Sequence, residues 1–372
     1  MMRRVGLFND LRWTRRLSSP LPAAGEGAPR SRSAEGSAPA SDRPTGTVSR
    51  AGAGAAARRL TLCLGLATLP APALGQEAIV TTQLGNAVEI IDLPSRTILS
   101  TIPVAGAPAG IALSPDRRRA YVSRPEGHGV TVIDLEARKA LAEVSLPGGP
   151  LGIGVNPVSG DVYVADWFGA RVFVLRATPE GLRPDGEIAT GKSPSGLAVT
   201  PDGATLLVAN RESDSVSVID AAARREIRRI PVGTHPFGLT LSPDGTRAFT
   251  ANVLSDDVSA IDFAAGRETG RVATGQRPYV IAFAQGQGGL RGFVTDQYSN
   301  TVTVFDPATM ARVGTVDVGD HPEGIAATRD GRTIVVANWG DNGLSLIDPA
   351  TLTVTGTVAT GDGPRAFGDF LR

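Results

Sequence analysis

The sequence predicts an all-β fold, a seven-bladed β-propeller of four-stranded antiparallel blades, and three observations predict it. A proline recurs at Pro108, Pro150, Pro194, Pro236, Pro278, Pro322 and Pro364, at separations of 42 or 44 residues. The intervals carry four short apolar stretches divided by Pro, Asp and Gly turns, the mark of a repeated antiparallel sheet. The array fills residues 76–372, leaving no room for a second domain. With 45 Gly and 27 Pro among 372 residues, the composition suits a turn-rich β protein and excludes a long helical bundle.

Residues 1–57 are mostly Ala, Gly, Ser, Pro and Arg, too poor in periodic apolar residues to offset the entropy of ordering. They are expected to be disordered, or to precede the true start of translation, for which Val48 is a candidate. Residues 58–75 read as a secretory signal: Arg58-Arg59, an apolar run from Leu60 to Leu69, Pro70 and Pro72, then Ala73-Leu74-Gly75 before Gln76. The expected location is therefore periplasmic or secreted. The apolar run is about ten residues, too short for a bilayer core of roughly 30 Å, so no membrane span is expected. Cys63, the single cysteine, lies in this run, so the processed chain has no thiol and no disulfide.

The formal charge is zero, but it averages two unlike parts. Residues 1–75 hold 11 Arg and no Lys against 4 acidic residues, which leaves 26 basic and 33 acidic residues in the array. A mildly acidic propeller opposes nucleic acid as a partner.

The unit from Pro194 to Gly233 shows the logic of the repeat. Gly196–Thr200 is a first strand, Pro201-Asp202-Gly203 a turn, Leu206–Asn210 a second strand, Ser215–Asp220 an alternating third, and Ile227–Val232 a fourth. Such a sheet is apolar on both faces and must stack on neighbours, and seven stacked radially close a ring. The segment Ala78–Gly106 matches only the second to fourth strands. The missing first strand is expected at Ala366–Leu371, so that both termini build one blade and hide its edges.

These residues resemble the YVTN-repeat β-propellers, whose unit runs roughly P-x-G-[IL]-A-[VL]-S-P-D-G, then Y-V-[AT]-N, then V-S-V-I-D. The matches are Ser114-Pro115-Asp116, Thr200-Pro201-Asp202-Gly203 and Ser242-Pro243-Asp244-Gly245, with Val208-Ala209-Asn210, Thr250-Ala251-Asn252 and Val336-Ala337-Asn338. Two units depart, at Asn156–Gly160 and at Gln285–Arg291, where Val280 also replaces the glycine two residues after the proline. The resemblance implies a propeller fold. Similar repeats occur in secreted surface proteins, lactonase-like propellers, propellers linked to quinone-cofactor catabolism and haem-domain propellers of nitrite reductases, so it leaves activity open.

Candidate site residues follow from aligning the units. The ends of the second strands carry Thr82, Arg124, Asp166, Asn210, Asn252, Asp296 and Asn338, and the loops entering the first strands carry His235, Arg277 and His321 just before their prolines. Both sets emerge on one face, at the mouth of the central channel, with Trp167, Tyr298 and Trp339 beside them. Turn chemistry explains Asn and Asp at strand ends, while Arg124 and the variation in charge point to a site made of unlike residues. Arg124, Asp166, Arg277, Asp296 and His321 are expected to converge there and hold an anionic or zwitterionic ligand. Asp134, Asp220, Asp262, Asp306 and Asp348 read as turn caps.

No nucleotide loop, zinc-protease helix, serine elbow or catalytic cysteine is present, and three histidines on different blades do not promise a metal site. No catalytic residue, metal ligand or cofactor is assigned. The expected function is a monomeric, non-enzymatic binding or scaffold propeller for a small molecule or a periplasmic protein. The alternatives are a lactonase-like hydrolase and an accessory subunit of a periplasmic quinone- or haem-dependent dehydrogenase.

Overall fold

A computed structural model of the chain describes residues 76–372; the expected leader and the extension before it lie outside the described residues. Six blades follow one another, with first strands at Gly110–Leu113, Pro150–Val155, Pro194–Val199, Pro236–Leu241, Pro278–Gly286 and Pro322–Ala327. Counted after the blade that opens the array, these are blades two to seven. Every adjacent strand pair within a blade is antiparallel, as the short hairpin turns require.

Blade one is built from both ends of the chain. Strands Glu77–Thr82, Ala87–Asp92 and Thr97–Pro103 form three of its strands. The C-terminal segment lies antiparallel to the first of them through bridges Thr82↔Pro364 and Ala78↔Leu371, with Ile79 N–H donating to the Phe370 carbonyl at 2.8 Å. Within that segment Phe367–Gly368 also pairs in parallel with Gly110–Ile111 of blade two, joining the inner strands of neighbouring blades. The termini are pinned by Glu77, whose buried carboxylate meets Arg138 at 3.2 Å and also Arg372.

The core lies between blades. Tyr121, Val130 and Val132 of blade two pack with Ile153, Val162 and Val164 of blade three, and blades four and five share Leu207, Val218, Leu239 and Ile261. Each such side chain is worth roughly 1.5–3 kcal/mol when buried, and only stacking supplies that burial. The third and fourth strands of every blade carry a bulge at one place, for instance Val218/Ile219 and Leu346/Ile347, which adds twist at the outer edge.

The turns behave as their residues dictate. Ser114, Thr200, Ser242 and Thr328 donate their hydroxyls to Asp116, Asp202, Asp244 and Asp330 at 2.5–2.7 Å, which holds these carboxyls below their usual range. In the departing unit Asn156 Oδ1 accepts from Val158 and Ser159 instead. Asp134, Asp220, Asp262, Asp306 and Asp348 accept backbone N–H groups of the turns that follow them.

Glycine two residues after the proline has a steric cause. A Cβ at Gly152 would run into the Ser195 carbonyl of the next blade, and one at Gly238 into that of Tyr279. The inner strands meet that closely around the axis.

Candidate functional site

The strand-end residues are buried and engaged within their own blades. Asn210 accepts from Gly191 N–H at 3.0 Å and donates to Ser217 at 2.9 Å, while Asn252 and Asn338 donate to Ser259 and Ser345. Asp296 accepts the hydroxyls of Thr303 and Thr301 at 2.7 and 2.9 Å. Asp166 accepts from Gly149 N–H and from Arg171, and Arg124 pairs with Glu143 at 3.1 Å. These side chains tie the second strand to the third or fourth strand and to the loop entering the blade.

Their variation in charge follows their partners. Where the third strand faces them with Ser217, Ser259, Thr303 or Ser345, the clamp is Asn or Asp; Arg124 passes over Thr131 at the same place to reach Glu143 on the fourth strand, and where the third strand presents Phe173, Asp166 turns to Arg171. In blade one Glu89 reaches Gly361 N–H from the third strand instead. No hydrogen bond or ion pair joins Arg124, Asp166 or Asp296 to Arg277 or His321. Burial pushes the Asp296 carboxyl up to about 6, against the pull of Thr303 and Thr301.

The residues before the prolines are set by the backbone. Ala107, Ser193, His235, Arg277 and His321 all have φ between 51° and 57°, a region in which His is enriched and most residues are strained. Their N–H groups are held from the preceding blade: His235 by Asp214 and Arg277 by Asp256 at 2.8 Å, and His321 by Asn300 at 3.1 Å. Their side chains remain half-exposed on the face.

A third set of positions, directly after the prolines, occupies the axis. Phe237 stacks on Tyr279 with ring centres 4.1 Å apart, lies 4.9 Å from Phe367 of the closing segment, and meets Trp167 edge-on at 5.9 Å. The contacts with Phe367 and Trp167 skip across intervening blades, so the side chains meet near the centre of the ring and plug it. Beside them Arg365 Nε lies 2.6 Å from Glu323 Oε2, Arg365 Nη2 donates to Tyr279 Oη at 2.6 Å, and Gln297 donates to Glu323 at 2.8 Å. Burial pushes Glu323 and Tyr279 up, partly opposed by Arg365. Burial also works against the charge of Arg365, yet Glu323 and Tyr279 hold it firmly protonated.

Around this plug runs a collar of cations and rings. Arg211 lies over Trp167 at 5.3 Å and Arg277 over Tyr298 at 5.2 Å. Tyr298 meets His321 at 5.7 Å, His321 meets Trp339 at 6.4 Å, and Trp339 Nε1 donates to Gln83 at 3.3 Å. Of the residues singled out in the sequence, Arg277, His321 and Trp339 are thus brought together, as Trp167 is with Arg211. The sequence reading passed over Phe237, Glu323 and Arg365. Their signal was there: the position after each proline runs Ala109, Leu151, Ser195, Phe237, Tyr279, Glu323, Arg365. Among the described residues no group of three or more His, Cys, Asp or Glu is placed to hold a metal ion, and no helix is long and apolar enough to cross a membrane.

Residues 174–283 match the sequence model of a family described as lactonase, 7-bladed beta-propeller, over less than a third of the chain. None of the curated proteins matches it. Among solved structures, the chain is similar to hydrazine synthase of Kuenenia stuttgartiensis at 22% identity and a TM-score of 0.63, covering 70% of this chain and 89% of that one. It is similar to a candidate 6-phosphogluconolactonase of Bacteroides fragilis at 19% identity and a TM-score of 0.69, covering 82% and 99%. Dihydro-heme d1 dehydrogenase NirN, solved in complex with DHE, follows at 16% identity and a TM-score of 0.61, covering 76% of this chain and 63% of that one. What this chain shares with them is the seven-bladed β-propeller.

Proposed function

We propose that the chain is an exported binding propeller whose plugged face, where the loops enter the first strands, takes a small ligand or a partner protein. The observation that carries this reading is the collar of Trp167, Arg211, Arg277, Tyr298, His321 and Trp339 around a closed axis. Large apolar side chains also stand exposed at one turn position in four blades: Leu84 at 51%, Phe168 at 60%, Leu254 at 44% and Tyr298 at 52%. Repeated exposure of large apolar groups on one face is a mark of recognition. The reading assigns His235, Arg277, His321, Trp167 and Trp339 to ligand contact, and Arg124, Asp166, Asn210, Asn252, Asp296 and Asn338 to the frame beneath them.

The test is hydrogen–deuterium exchange on protein purified gently from its own host with whatever ligand or partner accompanies it, before and after that partner is removed. Protection is expected in the turns around Phe168, Leu254 and Tyr298. Protection confined to the opposite face, where a cleft of about 540 Å³ lies between Ser114, Arg118 and Val158, would overturn the reading.

A second reading, hydrolysis of a lactone, is favoured by the family match over residues 174–283 and by His321 and Glu323 beside the axis. A His and a carboxyl can serve as general acid and base. Turnover of a lactone panel that disappears in His321→Gln would establish it.

A further inference from the structure

The half of this face carried by blades three to six holds a finer arrangement. Arg211 and Arg277 each lie over a ring, Trp167 at 5.3 Å and Tyr298 at 5.2 Å, which places both guanidinium groups on this face. His235 stands near both; burial first, and then Arg211 among its charged neighbours, makes it harder to protonate. The nearby carboxylates are already engaged: Asp214 and Asp256 accept backbone N–H groups, and Glu212 accepts from Arg211 Nη1 at 2.9 Å. Four side-chain polar atoms in these blades are buried with no hydrogen-bond partner among the described residues: Oδ1 of Asn252 and of Asp296, whose other terminal atoms are bonded within their blades, and Nε1 of Trp167 and Nδ1 of His235. Trp167 is only 8% exposed, and folded chains rarely leave such a donor unpaired.

We infer that Trp167, Arg211, His235 and Arg277 form a subsite for a small organic anion, an oxyanion group on a planar apolar body. Its oxygens accept from the Trp167 N–H and the two guanidinium groups, which present planar forks suited to a carboxylate. Its body lies against the exposed ring of Tyr298. The inference rests on the plugged face being the binding face.

Calorimetric titration of the purified protein with benzoate, and separately with inorganic phosphate, tests it. Benzoate is expected to bind at one site and more tightly than phosphate, which has no apolar body. Arg277→Gln and Trp167→Phe should each weaken benzoate by about tenfold, the second because it keeps a ring and removes only the N–H. Arg225→Gln, on an exposed outer strand, should change nothing, and all variants should melt within a few degrees of the parent. Absence of benzoate binding, binding of phosphate alone, or equal affinity in Arg277→Gln and Trp167→Phe would overturn the subsite. That failure is separate from the failure of the face as a whole, which the exchange footprint decides without any anion.

Discussion

Arg365 of the closing segment lies 2.6 Å from Glu323 of blade seven, and both side chains are more than nine-tenths buried. The pair stands where the ring is joined. Arg365 arrives on the closing segment, just ahead of Phe367–Gly368, blade seven supplies Glu323, and Tyr279 of blade six accepts the second guanidinium bond. Charge, hydrogen bonding and ring closure therefore meet in one small polar core beside an aromatic plug.

Removing one partner should cost far more than removing both. Arg365→Met leaves Glu323 buried without its counter-charge and is expected to lower stability by about 3–5 kcal/mol. Glu323→Met combined with Arg365→Met should recover most of that loss. Guanidinium unfolding midpoints of the two single variants and the double variant check this; additive losses would show that the pair is not coupled.

Deleting residues 364–372 removes the inner strand of blade one and the bridges Thr82↔Pro364 and Ala78↔Leu371. It also exposes Ile79 and Val80, which are fully buried. A loss of several kcal/mol is expected, read as a fall in melting temperature or as failure to fold. An unchanged melting temperature would show that closure contributes nothing.

Asp296 gives a dependence on pH with a definite sign. Its carboxyl titrates at about 6 in the folded chain against an ordinary 3.8. Between those values the folded state holds a proton that the unfolded state has released, so stability falls as pH rises from about 4 to about 6. The loss contributed by this group is on the order of 3 kcal/mol. Asp296→Asn supplies the residue that blades four, five and seven already use there. It should flatten the dependence and raise stability at pH 7, as urea unfolding at pH 4, 5, 6 and 7 will show.

Processing is expected between Gly75 and Gln76. N-terminal sequencing of protein recovered from periplasm or medium should begin at Gln76 or within a few residues of it. A cytoplasmic product that retains residues 1–50 would contradict export.

The fold was legible in the sequence because a propeller is a local code repeated. Pro201-Asp202-Gly203 fixes a turn, Val216 to Ile219 alternate across a sheet, and a spacing of 42 to 44 residues says how many sheets there are; none of these depends on a distant contact. The joining of the ends was legible for the same reason, since Ala78–Gly106 lacks a first strand and residues after Pro364 offer one. The site was only partly legible. Comparing units found the positions that vary but could not say toward what each side chain points. Arg124, Asp166 and Asp296 each turn to a partner on the third or fourth strand of their own blade, Glu143, Arg171 and Thr303, and no comparison of units shows which partner is met. Arg365 and Glu323, 42 residues apart in sequence, and Phe237 with Phe367 meet only once seven sheets have closed. Contacts across an axis exist in no single repeat, so tertiary structure alone decides which variable positions share a centre.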